Sequence, residues 1–139
     1  MQRIVIDTNV YIDWLNKGLY EEVLFQPETL KHLSSIVMME LWAGAFSTQD
    51  RRLLRQITSN FAKAGRILLP TVGVYEEAGE VLRRLQISRG YTATSASARA
   101  NDVLIALSAR SIGATVVTQN RRDYVAIQGI RPFKLNVVT

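Results

Sequence analysis

Apolar residues along this chain alternate between two spacings, short β-rich runs and longer stretches with a period near 3.6. Residues 3–6 make the first run and end in Asp7-Thr8-Asn9, three residue types that cap helices. Residues 10–17 follow with helical spacing and Gly18 as their stop. The same passage from strand into helix is predicted over residues 32–37 and 38–43, closed by Gly44. Residues 48–64 place Leu53, Leu54, Ile57 and Phe61 at helical spacing with Arg51, Arg52 and Arg55 toward the other side, an amphipathic helix that ends at Gly65. A third strand over 66–69 stops at Pro70, and a helix over 74–86 carries Glu76, Glu77 and Glu80 early and Arg83 and Arg84 late, as the helix dipole favours.

Residues 91–100, rich in Ser, Thr and Ala, read as a loop, although their Ala content would let the following helix begin inside it. The helix predicted over 101–112 is apolar on nearly every side and should lie buried at the centre, with Gly113 ending it. Residues 114–117 form a fourth strand leading into Thr118-Gln119-Asn120, followed by a short helix over 121–127 and a last strand over 133–138. Strands alternating with helices imply an α/β fold on a mainly parallel sheet. With no Pro- or Gly-rich divider, residues 1–139 are expected to form a single domain.

Composition removes several classes. No uncharged apolar run approaches the ~18 to 20 residues of a membrane span, and Asp7 interrupts the N-terminus before a signal-peptide core could form. A cytoplasmic protein with no membrane partner is expected. Cysteine is absent, which excludes disulfides and thiolate metal sites and suits a reducing compartment. The 17 Lys and Arg against 12 Asp and Glu give a net charge of +5 and favour a polyanionic partner. From residue 81 onward there are nine basic residues and only two acids, Asp102 and Asp123. A basic half that keeps two carboxylates raises the question of what they do.

In an open parallel sheet, ligands gather at the carboxyl ends of the strands. Each candidate there also has a plain structural reading. Asp7 can be a helix N-cap, although Thr8 and Asn9 can take that duty. Glu40, in the first turn of its predicted helix among Val37, Met38, Met39, Leu41 and Trp42, can be a surface glutamate favoured by the dipole. Asp102, above the small residues Ala106, Ala109 and Gly113, can be a buried cap, and Asn120 with Asp123 resembles a capping box. The set argues otherwise. Asp7, Glu40, Asp102 and Asp123 all fall at strand-to-helix junctions or in early helix turns, which a parallel sheet brings to one edge. Four acids there repel one another unless a cation joins them. Oxygen ligands without Cys or nearby His point to Mg²⁺, with Mn²⁺ able to substitute. The basic half would surround such a site, with Arg121 and Arg122 beside it.

Together the residues resemble the PIN domain family, and most of all its small stand-alone toxin ribonucleases of the VapC group. The marks are Asp7-Thr8-Asn9, Glu40-Leu41-Trp42-Ala43-Gly44, Asp102-Val103-Leu104-Ile105-Ala106 and Thr118-Gln119-Asn120-Arg121-Arg122-Asp123-Tyr124, in that order over nearly the whole chain. The resemblance implies a three-layer α/β fold with a five-stranded sheet in the order 3-2-1-4-5. It implies a Mg²⁺- or Mn²⁺-dependent endoribonuclease, a homodimer and a cognate antitoxin encoded alongside. Carried over by position, Asp7 and Asp102 would be the main metal ligands, Glu40 and Asp123 would complete the catalytic acids, and Thr8, Thr118 and Asn120 would support them.

Two departures stand out: Leu107 follows Ala106 where many relatives have a second alanine, and Asn101 precedes Asp102, as an extra ligand or a cap. His32 opens the predicted second strand, away from any carboxyl end, and is set aside as a general base. Trp14 and Trp42 are assigned to the core, and Asp13 to a surface pair with Lys17. A phosphatase of the haloacid-dehalogenase type needs a second acid where this chain has Asn9, which excludes it. The alternative from another class is a PIN-like module that binds RNA or protein without cleaving.

Overall fold

The computed structural model describes every residue from Met1 to Thr139. In chain order the elements are β1 (Gln2–Ile6), α1 (Thr8–Lys17), α2 (Glu21–Leu24), β2 (Thr29–Ser34), α3 (Ser35–Ala43), α4 (Thr48–Lys63), β3 (Ile67–Leu68), α5 (Val72–Ser88), α6 (Ala93–Ser97), α7 (Ala100–Ser111), β4 (Thr115–Thr118), α8 (Arg121–Gln128) and β5 (Lys134–Val137). The alternation predicted from spacing is present, and local chemistry accounts for the ends. Gly18 closes α1 at φ 67°, a left-handed conformation that a side chain would strain, and its N–H returns to the Trp14 carbonyl at 2.9 Å.

Several details differ from the pattern, among them an unpredicted short helix α2 and a start of α5 at Val72. The second strand occupies Thr29–Ser34 rather than 32–37, because Ser34 Oγ accepts from the N–H groups of Ile36 and Val37 at 3.1 and 3.4 Å. That cap makes two β-branched residues the first turn of α3, where local propensity reads them as strand. His32 therefore lies inside β2, not at its start. Residues 91–100 are not all loop, since Thr92 Oγ1 accepts from Ser95 N–H at 3.1 Å and starts α6, and Ala100 already belongs to α7. Leu53, assigned to the apolar face of α4, is exposed, and Leu54 carries the burial there.

All five strands are parallel, in the order β3-β2-β1-β4-β5. From β1 the chain moves toward β2 on one side, while β4 returns on its other side, so β1 and β4 flank the switch point where ligands bind. Their register pairs Ile4 with Thr115, Val5 with Val116 and Ile6 with Val117. One step further places Asp7 beside Thr118. Helices cover both faces of the sheet in a three-layer arrangement, with α1, α3 and α4 packed together and α5, α7 and α8 packed together. As its pattern predicts, α7 is buried through Val103, Ile105, Ala106, Leu107 and Ala109. Trp14 and Trp42 are half-buried against the core.

Candidate active site

Asp7 occupies the N-cap of α1, the position that Thr8 and Asn9 could have taken, yet its carboxylate also reaches across to β4. Its backbone N–H continues the ladder to the Val117 carbonyl at 2.8 Å, which fixes the residue at the strand end. Oδ1 accepts from Thr8 N–H at 2.8 Å, and Oδ2 accepts from Thr118 Oγ1 at 2.7 Å and from Asn9 Nδ2 at 3.3 Å. Thr118 Oγ1 in turn accepts from Asn120 N–H at 3.0 Å. Only 4% of Asp7 is exposed, and burial raises its carboxyl above the usual range even though these donors oppose the rise.

Glu40 lies in the second turn of α3, not the first, because the helix starts at Ser35. A dipole contact with the helix start is therefore lost, and side chains hold the carboxylate instead. Thr8 Oγ1 donates to Oε1 at 2.6 Å, and Asn101 Nδ2 approaches Oε2 at 3.4 Å. Asp102 is the third residue of α7, whose N-cap is Arg99, so it is not a cap. Its Oδ1 lies 3.5 Å from the Tyr124 hydroxyl, at the long limit for a hydrogen bond. Burial first, then the charges of Asp7, Asp123 and Glu40, push the Asp102 carboxyl up to about 7. Tyr124 is fully buried beneath this group, and burial followed by Asp7 and Asp102 raises its phenol well above the usual value.

Asn120 and Asp123 form the expected reciprocal cap of α8. Asn120 Oδ1 accepts from Asp123 N–H at 3.3 Å while Asn120 Nδ2 donates to Asp123 Oδ2 at 2.9 Å. The other oxygen of Asp123 pairs with Arg99 Nε at 3.2 Å. The charges of Asp7, Asp123 and Glu40 all act on Asp102, and the acids stand in two different conditions. Asp7 and Asp102 are crowded carboxylates without a cation, whereas Asp123 already has one.

No three acidic or histidine side chains converge tightly enough to enclose an ion by themselves. The donor set still fits Mg²⁺, which takes one or two carboxylates and keeps its waters, and crowded oxygens without Cys or nearby His are its preferred surroundings. The largest surface cleft, near 420 Å³ between Arg84, Arg89 and Gly129, contains none of these acids. Chemistry, not depth, selects the site.

Several residues with a part here are poorly marked in sequence. Tyr124 could be found only by asking what a buried phenol one position after Asp123 would bond. Arg99 sits in what reads as a loop. Gln119 donates from Nε2 to the Asn9 carbonyl at 3.1 Å and to Asp13 Oδ2 at 2.9 Å, stitching the β1–α1 and β4–α8 junctions together. Asp13 is thereby bonded to Gln119 instead of Lys17. His32 is not at the site. Its Nε2 is buried without a partner, and burial, Arg3 and Arg66 lower its basicity.

Residues 4–128 match the family model of the PIN domain. The chain belongs to the PIN domain family. No curated protein matches it. Among solved structures, it is similar to VapBC-1 of nontypeable Haemophilus influenzae at 23% identity and TM-score 0.71, over 98% of each chain. A member of the VapBC family of toxin–antitoxin systems from Mycobacterium tuberculosis, VapBC-5, shares 25% identity with a TM-score of 0.64, over 99% of this chain and 100% of that one. VapBC2 of Rickettsia felis, bound to a DNA fragment from their promoter, matches at 23% identity and TM-score 0.69, over 99% of this chain and 100% of that chain. No helix of this PIN domain is long and apolar enough to cross a membrane.

Proposed function

We propose that this PIN domain is a Mg²⁺- or Mn²⁺-dependent endoribonuclease and the toxin of a toxin–antitoxin pair. The observation that carries the reading is the meeting of Asp7 and Asp102 at the switch point, with Glu40 tied to Thr8 beside them. Asp7 and Asp102 are the residues to hold the metal, directly or through water. A divalent ion bound there supplies a Lewis acid and lowers the pKa of an attacking water. Thr118 and Thr8 keep Asp7 and Glu40 in fixed rotamers, so ligand atoms are oriented before substrate arrives. Glu40, held by Thr8 and Asn101, would serve as a proton acceptor at the acidic site, and Asp123 would complete its rim with Asn120 holding it.

The exposed Arg121 and Arg122 at the start of α8 supply positive charge for a phosphodiester backbone. A cognate antitoxin and a homodimer belong to the same proposal. Their support is the likeness to the VapBC structures.

The second reading is a PIN module that binds RNA or protein without cleaving it. Purified protein free of antitoxin, incubated with structured RNAs and Mg²⁺ or Mn²⁺ beside Asp7→Asn and Asp102→Asn, separates the two. Cleavage by the wild type alone supports the nuclease. Equal cleavage by all three proteins indicates contamination, and binding without cleavage selects the second reading.

A further inference from the structure

Arg99 breaks a local rule. It stands at the N-cap of α7, where Ser, Thr, Asp or Asn would satisfy a free helix N–H, and its side chain makes no capping bond. Its guanidinium is committed elsewhere. Nε donates to Asp123 Oδ1 at 3.2 Å, Nη1 donates to the Ser95 carbonyl at 2.8 Å and to Ser95 Oγ at 3.0 Å, and the group lies 4.3 Å from the centre of the Tyr91 ring. The side chain is only 15% exposed. Held at Nε by a carboxylate, at Nη1 by a carbonyl and a hydroxyl, and on one face by an aromatic ring, the fork has a fixed orientation.

An arginine offers five N–H donors, and these contacts use three. The two on Nη2 have no protein acceptor, and Nη2 is not among the polar atoms sealed from solvent without a partner. A counterion needed only to neutralise Asp123 would not require three further anchors. What those anchors achieve is a rigid cation whose Nη2 group alone lacks a protein acceptor, three residues before Asp102 and paired to a neighbouring acid.

We propose that Arg99 binds a phosphate of the RNA substrate at the acidic site, through the free Nη2 group. This rests on the nuclease reading above and adds to it the residue that admits a polyanion to a site lined by carboxylates. Fixed donors aimed at a phosphoryl oxygen offset the repulsion that Asp7, Glu40 and Asp102 would otherwise present to it. Pairing with Asp123 keeps the guanidinium from collapsing onto Asp7 or Asp102, where it would compete for the metal position.

The test measures kcat/KM for a short, fluorescein-labelled, single-stranded RNA of mixed sequence with Mg²⁺ across a salt series. It compares wild type, Arg99→Gln, Arg99→Lys and Asp123→Asn, and thermal unfolding confirms that each variant is folded. Loss of one phosphate contact makes the salt dependence shallower by about 0.7 in slope for single-stranded RNA. Arg99→Gln is expected to show that change together with a loss of about tenfold or more, mainly in KM. Arg99→Lys, which keeps the charge and loses the planar fork, is expected to recover the slope and part of the rate. Asp123→Asn should keep the wild-type slope whatever its rate. An unchanged slope in folded Arg99→Gln overturns the inference and leaves Arg99 as the counterion of Asp123, with the nuclease reading intact. A wild type that cleaves no RNA overturns both.

Discussion

Thr118 donates its hydroxyl to Asp7 Oδ2 at 2.7 Å across the β1–β4 pair, a fully buried bond between residues 111 positions apart. It joins the two strands where the sheet changes direction and orients the carboxylate best placed to hold a metal. Substitution Thr118→Val keeps the shape and removes the donor, leaving Asp7 with less compensation for its burial. The expected cost is about 1–3 kcal/mol in urea unfolding, with weaker Mn²⁺ binding by calorimetry. A variant as stable as wild type, with unchanged Mn²⁺ affinity, would show that the bond orients nothing.

Burial first, then the charge of Asp7, raises the cost of ionising Asp102, and burial together with the charge of Glu40 raises that of Asp7. Replacing either carboxylate by an amide removes like-charge crowding while nearly conserving volume. In EDTA at pH 8, Asp102→Asn is therefore expected to melt above the wild type, although its nuclease activity with Mg²⁺ falls by more than about 100-fold. A metal-free Asp102→Asn that melts well below wild type would mean that this charge stabilises the fold.

Glu40 is held unequally by its two partners. The Thr8 bond is 2.6 Å and charge-assisted, while the Asn101 contact is 3.4 Å and near the limit of a useful bond. Activity should accordingly fall by about 10–100-fold in Thr8→Val and by less than about tenfold in Asn101→Ala. The reverse order, read from kcat at saturating Mg²⁺, would assign Asn101 a direct part at the metal.

His32 is a pH-sensitive weak point of the sheet. Burial and the nearby Arg3 and Arg66 depress its folded pKa below 6.5, so the unfolded chain takes up the proton first. Its contribution to stability is intact above pH 6.5 and is lost as the pH falls through the depressed value. His32→Leu also removes the unpartnered Nε2. The variant is expected to gain about 1 kcal/mol over wild type at pH 7.5, and more at pH 5.5, in denaturant titrations. An equal difference at both values would show that the imidazole titrates as it does in the unfolded chain.

What sequence alone determined is what acts over a few residues. The period of apolar positions set the type and order of most elements, and capping residues followed strands at Asp7 and Asn120 because caps are written beside the turns they close. Local rules also failed locally, at Ser34, whose cap took Ile36 and Val37 from strand to helix, and at Thr92, which began a helix inside a predicted loop. The sheet order was implied by family resemblance and not by any spacing. Tertiary structure alone decided who meets whom: Asn101 with Glu40 over 61 positions, Arg99 with Asp123 over 24, and the Tyr124 hydroxyl with Asp102 over 22. The physical reason is that a hydrogen-bond partner or a neighbouring charge is a matter of distance in space. Strand register and the burial around each carboxylate settle that distance, and neither is local.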